Sequence, residues 1–449
     1  RELDPGDPTA FFYQALLDQR QHAYNRGIAS LEKSVELNDN RAVYRSGFLL
    51  DKDRSVRQAN LASLYGNAGM GEVSLEEARR SVVNDYLNPS AHLFLSNSIN
   101  AFRDPRRVSL RNETPWFNEL LLANLLSPAG TELLAQNISQ QEYINLFPGE
   151  PFSFSSRTRY RGDGEFLATG TAQGRFGRSS VALDYDIFMA EGTRPNQDIE
   201  RYTGYLQFKH ALSERDSLYF NLKFQKFRGG DLRQLYDQTA YDPDYRVEQE
   251  QSPVAIVGFH HEWSPGSRTL VLGGMLNDRL RISDRGAGTA AMIIDPAAPV
   301  LSTPLAFPAD VEQLRKTEVY FGEIQQIWSD EVQTIVAGAR YDGGSFPTEN
   351  VFSMQAFEGI LPSDPFFIAA DPAYRRWVAY LYYTRELMKG LWATVGLAYD
   401  DQEYPFNTSL PPAGELRVKK SEVLPKAGLV WAPDESLMVR LGYARSLGG

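Results

Sequence analysis

Three groupings of side chains in this sequence have the types and spacing to do chemistry. His260-His261-Glu262 is the only histidine cluster, and it lies in an alternating, strand-like stretch. Neighbouring strand residues point to opposite faces, so the two imidazoles cannot share a metal ion without a bulge. Asp237, Asp242 and Asp244 crowd with Tyr236, Tyr241 and Tyr245 into one polar connection. Carboxylates and phenols there could bind calcium or a sugar, but a solvated loop is the favoured reading. The third grouping is Asp184, Asp186, Lys209, Lys223 and Arg440, charges interleaved one-for-one with large apolar residues. Such charges can line a water-filled passage. No phosphate-binding glycine loop, nucleophile elbow or metalloprotease helix motif is present. With no cysteine, thiolate nucleophiles, zinc-thiolate sites and disulfides are absent too. The expectation is no catalytic or metal site, no cofactor and no enzymatic activity.

Composition narrows the setting. The 449 residues predict two or more domains. A net charge of −11 argues against a nucleic-acid partner, which needs concentrated Lys and Arg. Aromatic residues make up 12% of the chain, with 23 Tyr and 25 Phe. No apolar run reaches the length of a transmembrane helix, but barrel strands alternate and never look apolar as a block. Avoidance of cysteine suits an oxidising compartment such as the periplasm. The first residues read as mid-domain and the last as a strand pattern that stops, so both ends read as cut.

The charged strand residues need elements to position them, and the period divides the chain into three. Residues 1–105 are helical and predict a solenoid similar to tetratricopeptide repeats, in which paired helices touch where side chains are small. Ala15, Gly27 and Ser34 fall at those spacings in the first unit, and Gly66 and Ala78 in the second. The fit breaks at Asp85, which occupies the third small position. A generic helical bundle is the alternative. Residues 106–150 form a helical junction, with Thr114 as N-cap, Pro115 in the first turn and a Leu-rich run to Leu126. It is expected to pack on the repeats, the alternative being the barrel rim.

Residues 151–449 have a period of two and predict a transmembrane antiparallel β-barrel of about thirteen strands. The clearest alternation sets Leu218, Phe220, Leu222 and Phe224 against Tyr219, Asn221, Lys223 and Gln225. Strands around Val319 and Val378 have two apolar faces, so their inward side is not assignable. Tight turns near Ser213–Asp216, Ser264–Ser267, Ser329–Glu331, Met388–Gly390 and Ala432–Ser436 alternate with long connections. These are Arg228–Gln251, Ser283–Lys316, Asp342–Ala373 and Asp400–Lys420. Outer-membrane barrels have this asymmetry, short turns facing the periplasm. Trp263, Trp328 and Trp431 end strands before short turns and Trp392 begins one after. All four are therefore expected in an interfacial aromatic girdle on one rim.

The segment Leu424-Pro425-Lys426-Ala427-Gly428-Leu429-Val430-Trp431, with Leu437–Leu447 and its Tyr443-Ala444-Arg445-Ser446, resembles late strands of TonB-dependent receptor barrels. No plug domain precedes it; helices take that place. Helical repeats followed by an outer-membrane barrel resemble, in domain order alone, the exopolysaccharide-export porins. That resemblance implies repeats that dock periplasmic proteins and a barrel that passes a polar substrate, conceivably a polysaccharide. The TonB-receptor resemblance implies uptake instead, and a non-transporting outer-membrane anchor or adhesion protein is a third reading. The expected partners are the lipid bilayer, periplasmic proteins and a polar solute, with the N-terminal arm in the periplasm.

Overall fold

The computed structural model describes residues 4–43, 47–103, 114–129, 152–233, 235–237, 239–293, 303–330, 332–354, 366–406, 416–433 and 437–447. Helices begin where the sequence supplies caps. Six span Pro8–Arg20 (α1), Tyr24–Glu36 (α2), Gly47–Asn67 (α3), Gly71–Asn84 (α4), Pro89–Ala101 (α5) and Pro115–Leu126 (α6). Asp7 accepts from the Thr9 amide at 3.0 Å and Asn88 from the Ser90 amide at 3.0 Å, each followed by proline at the first helical position. Thr114 precedes α6 in extended backbone but makes no side-chain cap bond, so Pro115 alone marks that start.

The five helices α1–α5 pack mainly against their chain neighbours. Ala15 and Ala78 are fully buried, and Ser34 donates to the Pro8 carbonyl at 2.7 Å. A Cβ on Gly27 would sit 3.4 Å from the Ala15 carbonyl, and one on Gly66 3.3 Å from Ser74 Oγ. These small residues lie against neighbouring helices. Asp85 follows α4 as its C-cap.

From Phe152 the chain is one antiparallel sheet. Its strands are Phe152–Tyr160 (β1), Phe166–Phe176 (β2), Ser179–Ala190 (β3), Ile199–Ala211 (β4), Asp216–Gly229 (β5), Arg246–Ser264 (β6) and Ser267–Ile293 (β7). They continue with Thr303–Ser329 (β8), Gln333–Ser345 (β9), Thr348–Met354 (β10), Phe366–Ala370 (β11), Ala373–Met388 (β12), Leu391–Pro405 (β13), Arg417–Trp431 (β14) and Val439–Ala444 (β15). Thirteen strands follow one another as a meander, and β10 and β11 form a side hairpin on β8. Among the described residues β1 and β15 do not pair, so the sheet has two free edges.

Tight connections do lie on one rim, at 177–178, 212–215, 265–266, 330–332, 389–390 and 432–438, although 331 and 434–436 are outside the described residues. Two of the long connections are strand for much of their length. β7 and β8 each run 27 residues, about 90 Å at ~3.3 Å per residue, where ~9–11 residues cross a bilayer. The stretch between β9 and β12 contains the β10–β11 hairpin. The centres of three long connections (294–302, 355–365 and 407–415) and most of the junction fall outside the described residues.

The two sheet faces differ sharply. One carries Leu183, Leu206, Phe220, Phe224, Val257, Leu397 and Leu441, each more than 40% exposed. So extensive an exposed apolar surface is suited to lipid. The other face is buried under α6. Trp116, Phe117, Leu120, Leu121 and Leu125 of α6 form one core with Tyr205, Tyr219, Ile256, Leu270, Phe321, Ile327 and Val336 of the strands. Full burial of such a side chain stabilises by about 1.5–3 kcal/mol, so this contact holds α6 firmly. α6 also packs on α5, where Ser96 Oγ donates to the Trp116 carbonyl at 2.6 Å. The junction helix therefore touches both the helical arm and the sheet, rather than the arm alone. The two strands with ambiguous patterns resolve the same way, with Phe321, Glu323 and Gln325 of β8 and Arg376, Val378 and Tyr380 of β12 turned toward α6.

Candidate functional site: the inner face under the junction helix

α6 runs Pro-Trp-Phe-Asn-Glu-Leu-Leu-Leu-Ala-Asn-Leu-Leu, and its last turn leaves carbonyls with no partner inside the helix. Lys209 of β4 supplies one. Its ammonium donates to the carbonyls of Asn124 (2.5 Å), Leu125 (2.8 Å) and Ser127. The helix C-terminus carries partial negative charge, which a cation complements. Lys209 is 1% exposed and has no carboxylate partner among the described residues, so these carbonyls are what balance its charge.

Beside it runs a hydrogen-bonded chain. Thr171 of β2 donates to Asp184 of β3, and Gln207 Nε2 of β4 donates to the same carboxylate at 2.9 Å. Gln207 Oε1 in turn accepts from Tyr219 (2.8 Å) and from Asn124 of α6 (2.9 Å). Four adjacent strands and the helix are tied through buried polar atoms. Asp186 pairs with Arg201 at 2.8 Å, and Lys223 donates to Gln251 at 2.7 Å. Arg440 of β15 reaches the helical arm and pairs with Glu76.

The five charged strand residues thus occupy the inner face, but three of them are fastened to protein rather than bordering water. Asp184 and Lys209 belong to the α6 seat, and Arg440 to the arm. Gln207 and Tyr219, which the alternation marks only as polar positions, are central to this seat, and so is Asn124, which the sequence reading passed over. Asn124 carried a signal: it is an amide set in the apolar run from Leu120 to Leu126, and a buried amide needs partners.

Next to α6 lies a cavity of about 680 Å³ reaching from β7 to β14. Its charged walls are paired within and across strands. Arg340 holds Asp342 at 2.8 Å and Glu323 at 3.3 Å, and lies 4.8 Å from the Phe321 ring centre. Arg376 forks onto Asp400, at 2.7 Å through Nη2. Tyr380 donates to Glu323 at 2.5 Å and Lys426 to Tyr382 at 3.0 Å. Arginine and tyrosine so arranged make a polar wall that hydrated solutes can contact. Glu119 of α6 lines the same cavity and bonds the buried His92 of α5 at 2.5 Å.

The tryptophans divide. Trp263, Trp328 and Trp431 stand on the lipid-facing side at the short-turn rim, 42–61% exposed. Trp392 shares that rim but turns inward, lining a cavity beneath the arm. One residue of strand position reverses the face, and Trp392 is register partner of Val430, which is also inward. Placing Trp392 in the girdle is corrected accordingly.

Away from the seat, His260 lies inward while His261 bonds Asp216 at 2.7 Å and meets the Trp263 ring edge-on. In the tyrosine-rich connection, Arg233 donates to Asp231 at 2.8 and 2.9 Å and holds that carboxyl well below the usual range. Asp242 accepts from the amides of Asp244 and Tyr245, and Asp237 from Thr239, so these carboxylates order the loop's own backbone. Tyr236 is fully exposed.

The family described as TonB dependent receptor-like, beta-barrel matches residues 144–448. The chain belongs to this family. It is an outer-membrane β-barrel of the TonB-dependent receptor-like type. Similar solved structures include the ferric citrate transporter FecA, with 12% identity over 63% of this chain and 42% of that one and a TM-score of 0.44. BauA, the ferric preacinetobactin receptor of Acinetobacter baumannii, has 16% identity over 64% and 46%, with a TM-score of 0.44. The siderophore receptor PiuA of the same organism has 11% identity over 64% and 48%, also at 0.44. The chain spans under half the length of each. No curated protein matches the sequence. The helices before residue 144 lie outside the family match.

Proposed function

We propose that this chain works as a substrate-uptake barrel whose inner face is closed by its own junction helix, and that it has no catalytic step. The observation that carries the reading is α6 seated on the inner face by Lys209 within a TonB-dependent receptor-like sheet. A polymer-export conduit needs an open bore, and the buried, hydrogen-bonded seat of α6 argues for a closed one. The polar wall of Arg340, Arg376 and Tyr380 beside α6 suits passage of a hydrated solute once the helix yields. On this reading the short-turn rim and the helical arm face the periplasm, following the loop asymmetry of such barrels. The arm, read as tetratricopeptide-like, then offers its helical face to periplasmic proteins.

The test is conductance in planar bilayers. The intact chain is expected to stay closed, and Lys209→Met to open steps of conductance. An intact chain that conducts like an open porin would overturn the reading.

A further inference from the structure

A second cavity, of about 750 Å³, lies between α2–α5 and the short-turn ends of β13–β15. That size is within the roughly 300–1,000 Å³ range of small-molecule sites. Its apolar wall includes Val82 of α4, Trp392 of β13, Val430 of β14, and Met438 just before β15. Five cations border it: Arg54, Arg79, Arg80, Lys389 and Arg440. Only three carboxylates do, from Glu36, Asp39 and Glu76. In a chain of net charge −11 this local positive excess stands out. Asp39 serves both Arg54 and Lys389, Glu76 serves Arg440, and Arg80 pairs with Glu77 at 2.9 Å, so Lys389 and Arg79 are the cations most open to a ligand. Arg79 is exposed and has no ion pair among the described residues. Arg80 Nε is buried without a hydrogen-bond partner.

We propose that this cavity binds an anionic amphiphile, a carboxylate or phosphate head on a single hydrocarbon chain. The head would meet Arg79, Arg80 and Lys389, since charge-assisted hydrogen bonds to carboxylate and phosphate are strong. The chain would lie on Val82, Trp392, Val430 and Met438. An extended peptide fits less well. At Trp392 and Val430 the wall is a sheet face whose main chain is paired between β13 and β14, so a peptide lying there meets side chains and no free ladder. The site is separate from the α6 seat, and the inference does not depend on the uptake reading.

Trp392 provides a local reporter. The full chain in phosphatidylcholine nanodiscs is titrated with 11-(dansylamino)undecanoic acid, and tryptophan-to-dansyl energy transfer is read. A saturable transfer is expected, cut at least by half in Trp392→Phe. Arg79→Glu with Lys389→Glu is expected to weaken it at least tenfold; both side chains are exposed, Lys389 at 81%, so the fold should stand. Displacement by laurate points to a carboxylate head, and displacement by dodecyl phosphate to a phosphate head; either supports the site. Transfer unchanged in Trp392→Phe, or affinity unchanged by the charge reversals, overturns it. So does displacement by inorganic phosphate alone or by an acidic peptide.

Discussion

The ammonium of Lys209 lies 2.8 Å from the carbonyl oxygen of Leu125, joining the final residues of β4 to the last turn of α6. Lys209→Met keeps the length of the side chain but removes the donor from the Leu125 and Ser127 carbonyls in a dry setting, while Asn124 keeps the Ser127 hydroxyl. Such loss costs about 1–3 kcal/mol. The expected outcome is faster maleimide labelling of Leu125→Cys in the Lys209→Met background. Equal labelling in both backgrounds would mean that Lys209 does not hold the helix.

The His92–Glu119 contact joins α5 to α6 and carries a pH dependence. Burial disfavours the imidazolium of His92, but the Glu119 carboxylate outweighs it, and the pKa is raised above its ordinary 6.5. A raised folded-state pKa means that the pair stabilises fully below about pH 6.5, and that this is lost as pH climbs through the folded value. Thermal stability of the full chain should therefore fall as pH rises from 6.5, and His92→Gln should flatten the slope. Strengthening over the same range contradicts the assignment.

Tyr382 covers Gly396 across the β12–β13 pair, and a Cβ at Gly396 would stand 2.3 Å from the Tyr382 ring. Gly396→Val must push that ring aside, at a cost of about 1–3 kcal/mol. Gly442→Val is the control, because nothing lies within 4 Å of its added carbon. The urea midpoint should fall for the first and shift less for the second. Equal shifts would remove the role of the tyrosine.

On the lipid side, Leu397 is 53% exposed while its neighbour Ala398 is 5% exposed on the inner face. Leu397→Arg should cost about 2–4 kcal/mol if the position lies near the bilayer centre. Refolding into phosphatidylcholine vesicles at graded urea measures it. An unchanged transition would mean that this face does not meet lipid.

Much of the sheet was legible because one face had to meet lipid. Leu218, Phe220, Leu222 and Phe224 alternate with polar residues for that reason, and the short turns declare a rim through Gly266 and Gly390. What the alternation leaves open is what covers the other face. Tyr219 and Gln207 read as water-facing, and they are instead bonded to Asn124, more than eighty residues away in sequence. No local pattern reports a partner at that separation. Trp392 went astray for a related reason: position along a strand gives the rim, but the face depends on a register that one residue inverts. The extended lengths of β7 and β8 were hidden because their outer halves, rich in Ala, Gly and Pro, read as loop.

The central claim is that α6 occupies the inner face of the barrel. Leu125 and Gly258 give the most direct test, since a Cβ on Gly258 would lie 2.5 Å from Leu125 Cδ2 and the chain has no native cysteine. Leu125→Cys with Gly258→Cys is oxidised mildly in outer membranes and read by mass spectrometry of the linked peptides. The account predicts an α6–β6 disulfide in high yield. A pair that stays reduced, while cysteines at the facing positions Ala379 and Tyr399 of β12 and β13 cross-link, would contradict it.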